Sequence, residues 1–111
     1  RGDRAAEDER FAAAFAAEIL RLFPGCPADR ALAIAAHASA RGSGRVGRSS
    51  AGRALSEGAV ISAVVAAVRH VDTPYDQLLM SGVSRYEARR RIAPAVESVL
   101  RAWQDAGADV G

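Results

Sequence analysis

Apolar positions along this chain recur at helical spacing in four separate stretches, broken by short clusters of Pro, Gly and Ser. The first runs from Arg4 to Phe23, where Phe11, Phe15, Ile19 and Leu22 form one stripe and the acids Glu7, Asp8 and Glu9 sit where the helix dipole favours them. Pro24-Gly-Cys-Pro27 stops it, and Pro27 suits the first position of a second helix ending near Ala40. That helix offers a narrow face of Ala31, Ile34, Ala35 and Ala38, small enough for a neighbouring helix to approach closely. Gly42 and Gly44 end it.

Ser56 is the expected N-cap of a third helix reaching about Val71, with Val60, Val64, Val68 and Val71 on one stripe and Ile61 and Val65 beside it. Its β-branched residues lower intrinsic helicity, so a strand over Val60–Val68 competes with this reading. Thr73-Pro-Tyr-Asp76 predicts a short fourth helix with Thr73 as cap and Asp76 reaching back to it, ending at Ser81 and closed by Gly82. Ser84-Arg-Tyr-Glu87 repeats the capping signal, with Val83 and Ala88 as a hydrophobic staple. The fifth helix carries Ile92, Val96, Val99, Leu100 and Trp103, and Pro94 predicts a kink or a break near Ile92. These elements predict an all-α fold, a compact bundle of about five helices with one long Arg/Gly/Ser-rich loop between the second and third.

Composition narrows the core. Half of the 111 residues are apolar, but Ala and Val dominate and aromatics make up only 5%, so the helices must pack through small side chains. The length suits one domain. We divide it into 1–17, the opening of the first helix and an extension from any upstream segment; 18–103, the domain body; and 104–111, a fraying tail. No apolar run is long enough for a membrane span and no secretory signal opens the chain, so a cytoplasmic protein without membrane attachment is expected. Cys26 is the single cysteine, so no disulfide forms within the chain and no cysteine pair is present to hold zinc. Between Gly25 and Pro27 it reads as a small buried or capping residue.

Charge changes the picture more. All fifteen cations are Arg, and they are segregated: four against six acids in residues 1–29, five against none in 30–56, and six against seven in 57–111. The middle block centres on Arg41-Gly-Ser-Gly-Arg-Val-Gly-Arg-Ser49, where glycines let successive amides point one way and guanidinium forks suit phosphate oxygens. Arg41, Ser43, Gly44, Arg45, Gly47, Arg48 and Ser49 are therefore the candidate phosphate- or nucleic-acid-binding residues. The stretch lacks the lysine and strand context of a nucleotide-binding P-loop and the GxSxG elbow of hydrolases. Arg89, Arg90 and Arg91 spread over about 300° of helix, so with Glu87 they read as a salt-bridged solvated face. Tyr75 and Tyr86 follow helix starts and are expected to pack against the adjacent turn.

His37 and His70 lie near the ends of the second and third helices, where the dipole favours imidazolium. They join the candidate phosphate-binding set. No short ligand spacing links them, and no metal or other cofactor is expected. With Thr73, Tyr75 and Asp76 they also make an alternative functional set, in which His37, His70, Tyr75 and Asp76 serve a phosphodiesterase-type hydrolase. The two imidazoles would have to reach one substrate atom.

The block Ile34-Ala-Ala-His37, Arg41 to Ser49, Val64 to His70 and Thr73-x-Tyr75-Asp76-x-Leu-Leu79 resembles the domain-of-unknown-function family numbered 2293, over roughly residues 18–103. The matching motif residues are His37, Ser43, Gly44, Arg45, Gly47, Arg48, His70, Thr73, Tyr75 and Asp76; Pro94 departs from the pattern. The resemblance implies an intracellular protein of bacterial or fungal type. It also implies that bacterial relatives carry a Cys-rich, zinc-ribbon-like segment upstream, of which this chain would be the C-terminal continuation. Three readings of function stand side by side: a DNA- or RNA-binding module working through Arg41–Arg53, the hydrolase, and a domain that binds a protein partner or a second copy of itself.

Overall fold

The computed structural model describes residues 2–42 and 55–105, with side chains described over 5–40 and 55–105. These residues form five α-helices and no strand: α1 (Gly2–Leu22), α2 (Ala28–Gly42), α3 (Glu57–Asp72), α4 (Tyr75–Met80) and α5 (Arg85–Asp105). The fold is all-α, and none of these helices is long and apolar enough to cross a membrane. Residues 43–54, predicted as the long loop, and 106–111, predicted as the tail, lie outside the described residues.

α1 and α2 form an antiparallel hairpin. Its turn is tightened by Cys26 N–H donating to the Phe23 carbonyl at 2.9 Å, and its open end is joined by Ser39 Oγ donating to the Asp8 carbonyl at 3.4 Å. α3 crosses the closed end of this hairpin. Glu57 in its first turn meets Arg21 at 3.0 Å and Asp72 in its last meets Arg30 at 2.8 Å, both partners flanking the Pro24–Pro27 turn. α5 is fastened to the same turn, where Gly25 N–H donates to the Trp103 carbonyl at 2.6 Å.

Val60, Val64 and Val68 are wholly buried, while Ser62 between them is exposed. A strand would put residues 60, 62, 64 and 68 on one face, so the four-residue spacing of burial is helical. Burying each valine contributes about 1.5 kcal/mol or more, which offsets the few tenths that β-branching costs a helix. Ser56 caps this helix as its sequence predicts, accepting from Ala59 N–H at 3.2 Å. The stripe ends sooner than predicted: Val71 is 66% exposed.

The capping prediction for α4 holds for Thr73 and fails for Asp76. The Thr73 hydroxyl accepts from Tyr75 N–H at the start of α4, as predicted, and also closes α3 by donating to the Arg69 carbonyl. Asp76 does not reach back to Thr73 but meets His70 Nδ1 at 2.7 Å, because a charged or polarised imidazole is a stronger partner for carboxylate than a backbone amide. Pro74 takes the cap position with no side-chain bond.

α4 ends as predicted at Gly82, which has φ +96°. Val83 N–H donates to Leu78 O and Gly82 N–H to Leu79 O, both at 3.0 Å, the pairing in which the residue after the helix must turn left-handed. A Cβ on Gly82 would meet nothing within 4 Å, so only backbone strain opposes a substitution. Gly82→Ala should therefore lower stability by about 1 kcal/mol in denaturant unfolding, and Gly82→Asn by less.

Pro94 does not split the last helix: α5 runs unbroken from Arg85 to Asp105. Pro94 is exposed, opposite the buried Ala88, Ile92 and Val96, so the Arg90 carbonyl that loses its donor faces water. Tyr75 packs as expected at 3% exposure, but Tyr86 does not and stands 78% exposed. Cys26 is buried, and burial pushes its thiol above the ordinary range, which fits a packing role.

Candidate functional site

The junction between α3 and α4 gathers the motif residues Arg69, His70, Thr73, Tyr75 and Asp76 into one polar cluster. With its hydroxyl bonded to both helices, Thr73 sets the angle between them. That angle puts the buried Tyr75 ring under two neighbours: the His70 ring meets it edge-on with centroids 5.5 Å apart, and the Arg69 guanidinium lies 5.5 Å from its centroid. Carboxylate only accepts, so Asp76 holds the proton on His70 Nδ1 and leaves Nε2 as the free nitrogen.

His70 also opens onto a groove of about 700 Å³ that His37 shares. Its α3 wall is Ala59, Ser62, Ala63, Ala66, Ala67, His70 and Val71, a continuous stripe at spacings of three and four. The opposite wall is Arg30, Ala33, Ile34, His37 and Ala38 of α2, with Phe11 and Phe15 of α1. The groove exists because alanine and serine are too short to fill the space where α3 diverges from the hairpin. His37 and His70 line one cavity. Asp72 ties the end of α3 to Arg30, and His37 lies seven residues, about 10 Å, farther along α2. No hydrogen bond or ring contact joins the two imidazoles.

Arg41 ends α2, and its side chain is outside the described residues, as are Ser43, Gly44, Arg45, Gly47, Arg48 and Ser49. Arg30, counted with the basic block in the sequence, belongs to the helical body instead. Its fork takes both oxygens of Asp72, Nη1 to Oδ1 at 3.2 Å and Nη2 to Oδ2 at 2.8 Å, and its plane lies 5.2 Å from the Trp103 ring centroid. Nothing in the sequence marks a pair 42 positions apart; only the crossing of α3 over the hairpin creates it. Among the described residues no three His, Cys, Asp or Glu side chains converge as metal ligands.

The salt-bridged face predicted for α5 is present. Glu87 meets Arg90 at 2.8 Å and Arg91 at 2.9 Å, while Ser84 Oγ accepts from Glu87 N–H at 3.1 Å. The Arg90 hydrogen bond, then that of Arg91, holds the Glu87 carboxyl at about 2, down from the ordinary 4.5. Its folded value lies below its unfolded one, so its stabilisation is complete above 4.5 and fades as the pH falls towards 2. An NMR titration should place the Glu87 midpoint well below 4.5, and Arg90→Ala/Arg91→Ala should return it to the ordinary range. Both partners are exposed, so added salt should narrow the difference.

No curated protein and no solved structure matches the chain. A family described as "Uncharacterized conserved protein (DUF2293)" matches residues 18–104, which takes in the last turn of α1, the whole of α2 to α4 and nearly all of α5. The motif residues His37, Arg45, Arg48, His70, Tyr75 and Asp76 all fall inside that span, and the chain belongs to this family of uncharacterised conserved proteins.

Proposed function

We propose that the domain is a nucleic-acid-binding module whose main contact is the 41–53 segment, with Arg41, Arg45 and Arg48 on the phosphates. One observation carries the reading: the segment has no acid of its own, whereas Arg21, Arg30, Arg90 and Arg91 of the helical body are ion-paired. Arg21 is held by Glu18 and Glu57, Arg30 by Asp72, and Arg90 and Arg91 by Glu87. The segment carries four arginines and no carboxylate, and the acids that flank it in sequence are engaged or distant. Glu57 is bonded to Arg21, while Asp29 sits at the opposite end of α2 from Arg41, about 18 Å away. An arginine excess of this kind suits an anion, and phosphate is the anion that guanidinium forks fit.

His37 lies one turn before Arg41 and extends the same surface along α2.

A second reading has its own observation. The Ser39–Asp8 bond brings the acidic first turns of α1, with Glu7, Asp8 and Glu9, beside the end of α2. The segment's arginines would then be counter-ions to the protein itself.

Arg45→Ala/Arg48→Ala separates the two. Under the nucleic-acid reading the variant melts like the wild type, binds DNA and RNA more weakly, and loses about one unit of salt-dependence slope per phosphate contact. Unchanged binding, or no binding by the wild type at low salt, defeats that reading; lowered stability with unchanged binding supports the internal role.

A further inference from the structure

The first two turns of α5 hold four arginines, at the end of a helix where the dipole disfavours cations. Glu87 sorts them. Arg90 and Arg91 turn towards its carboxylate, and Arg85 and Arg89 are left without an ion-pair partner among the described residues. Placed four apart, these two also repel each other across one helical turn. Tyr86 stands beside them, 78% exposed, and Met80 at the end of α4 is 86% exposed. Arg85, Arg89 and Tyr86 fall within about 100° of helical arc, so they face one partner together.

No packing need within the described body accounts for this combination. Tyrosine is a large apolar surface that folding ordinarily covers, and its helix has a packed stripe in Ala88, Ile92 and Val96 that Tyr86 does not join. A flat ring beside two forked cations matches an unpaired base beside two phosphates. Every base has a stackable face, so such a patch takes single strands without reading sequence.

We propose that Arg85, Tyr86 and Arg89 form a second contact surface for single-stranded nucleic acid, Tyr86 stacking on an exposed base and the two arginines holding the adjacent phosphates. The proposal shares its ligand class with the function proposed for the 41–53 segment but rests on different residues, so each can fail alone.

Binding of a short single-stranded oligonucleotide and of its duplex, followed by anisotropy over a salt series, tests it. Arg10→Ala/Arg101→Ala, which removes the same charge from exposed positions elsewhere, is the control. Arg85→Ala/Arg89→Ala should weaken single-strand binding about ten-fold relative to that control and lower the salt slope by about 1.4, the value for two lost contacts to a single strand. Tyr86→Ala should weaken it about ten-fold with the slope unchanged, hardly affect the duplex, and be rescued by Tyr86→Trp. Binding by both α5 variants at the control level overturns the proposal. Loss of binding in Arg45→Ala/Arg48→Ala alone leaves the segment reading standing and removes this one; loss in the α5 variants alone does the reverse. Association with vesicles of equal parts phosphatidylserine and phosphatidylcholine, with no binding to either nucleic acid, would assign the patch to a membrane surface and overturn it.

Discussion

Phe23→Ala should cost about 3–5 kcal/mol in denaturant unfolding, a large share of the roughly 5–15 kcal/mol that holds a domain of this size together. Phe23 is 1% exposed and is the bulkiest of the fully buried side chains, in a core otherwise built largely of valine and alanine. A core this rich in valine and alanine offers few long side chains to swing into a cavity. The hole therefore persists unless helices move, and helix movement would strain the Gly25–Trp103 bond and the Phe23–Cys26 turn. Leu32→Ala, at 59% exposure on α2, should stay within about 0.5 kcal/mol. A loss below about 1 kcal/mol for Phe23→Ala would show that the core closes around the gap.

The second large effect belongs to Arg30. Its bidentate bond to Asp72 and its stacking on Trp103 join α2, α3 and α5 at one point, with 23% of the Arg30 side chain and 26% of Asp72 left exposed. A hydrogen bond to a charged group contributes about 1.5–3 kcal/mol, more than a fully solvated pair, and the ring contact adds roughly 0.5–1 kcal/mol. Arg30→Ala should destabilise by about 2 kcal/mol and change the emission of Trp103, the chain's single tryptophan. Lysine has no fork and stacks poorly, so Arg30→Lys should recover little. A double-mutant cycle with Asp72→Asn checks the pairing: a coupling near zero would mean that Arg30 acts through its stem and Trp103 alone.

Phe23 and Arg30 mark the limits of what periodicity reveals. The stripe on the first helix was expected to end at Leu22, which is only half-buried; Phe23 takes the core position because its amide still donates to the Ile19 carbonyl at 2.7 Å, one step beyond the helix. A sequence shows which face is apolar but not where the chain leaves the axis. Arg30 looked like the first member of the basic block and is instead a tie between helices.

The candidate site was legible to a similar degree. His70 and Asp76 were placed in one candidate set, yet their bond depends on the angle that Thr73 sets between α3 and α4, and of the two bonds of Thr73 only the one to α4 was read from sequence. His37 and His70 were expected at one end of the body. The crossing of α3 makes both line one groove that no local pattern announces.

By itself the sequence determined the five helices of the described residues, the caps at Ser56 and Ser84, the left-handed stop at Gly82, the valine stripe of α3 and the segregation of arginine. Each is an interaction among residues within about five positions, where chain connectivity already fixes the geometry. Only the tertiary structure decided that α5 continues through Pro94, which depends on that residue facing water. It alone also decided which of the described arginines are ion-paired. Charge pairing depends on distance in space, and Arg21–Glu57 and Arg30–Asp72 are separated by 36 and 42 positions, which only the packing of α3 across the hairpin brings together.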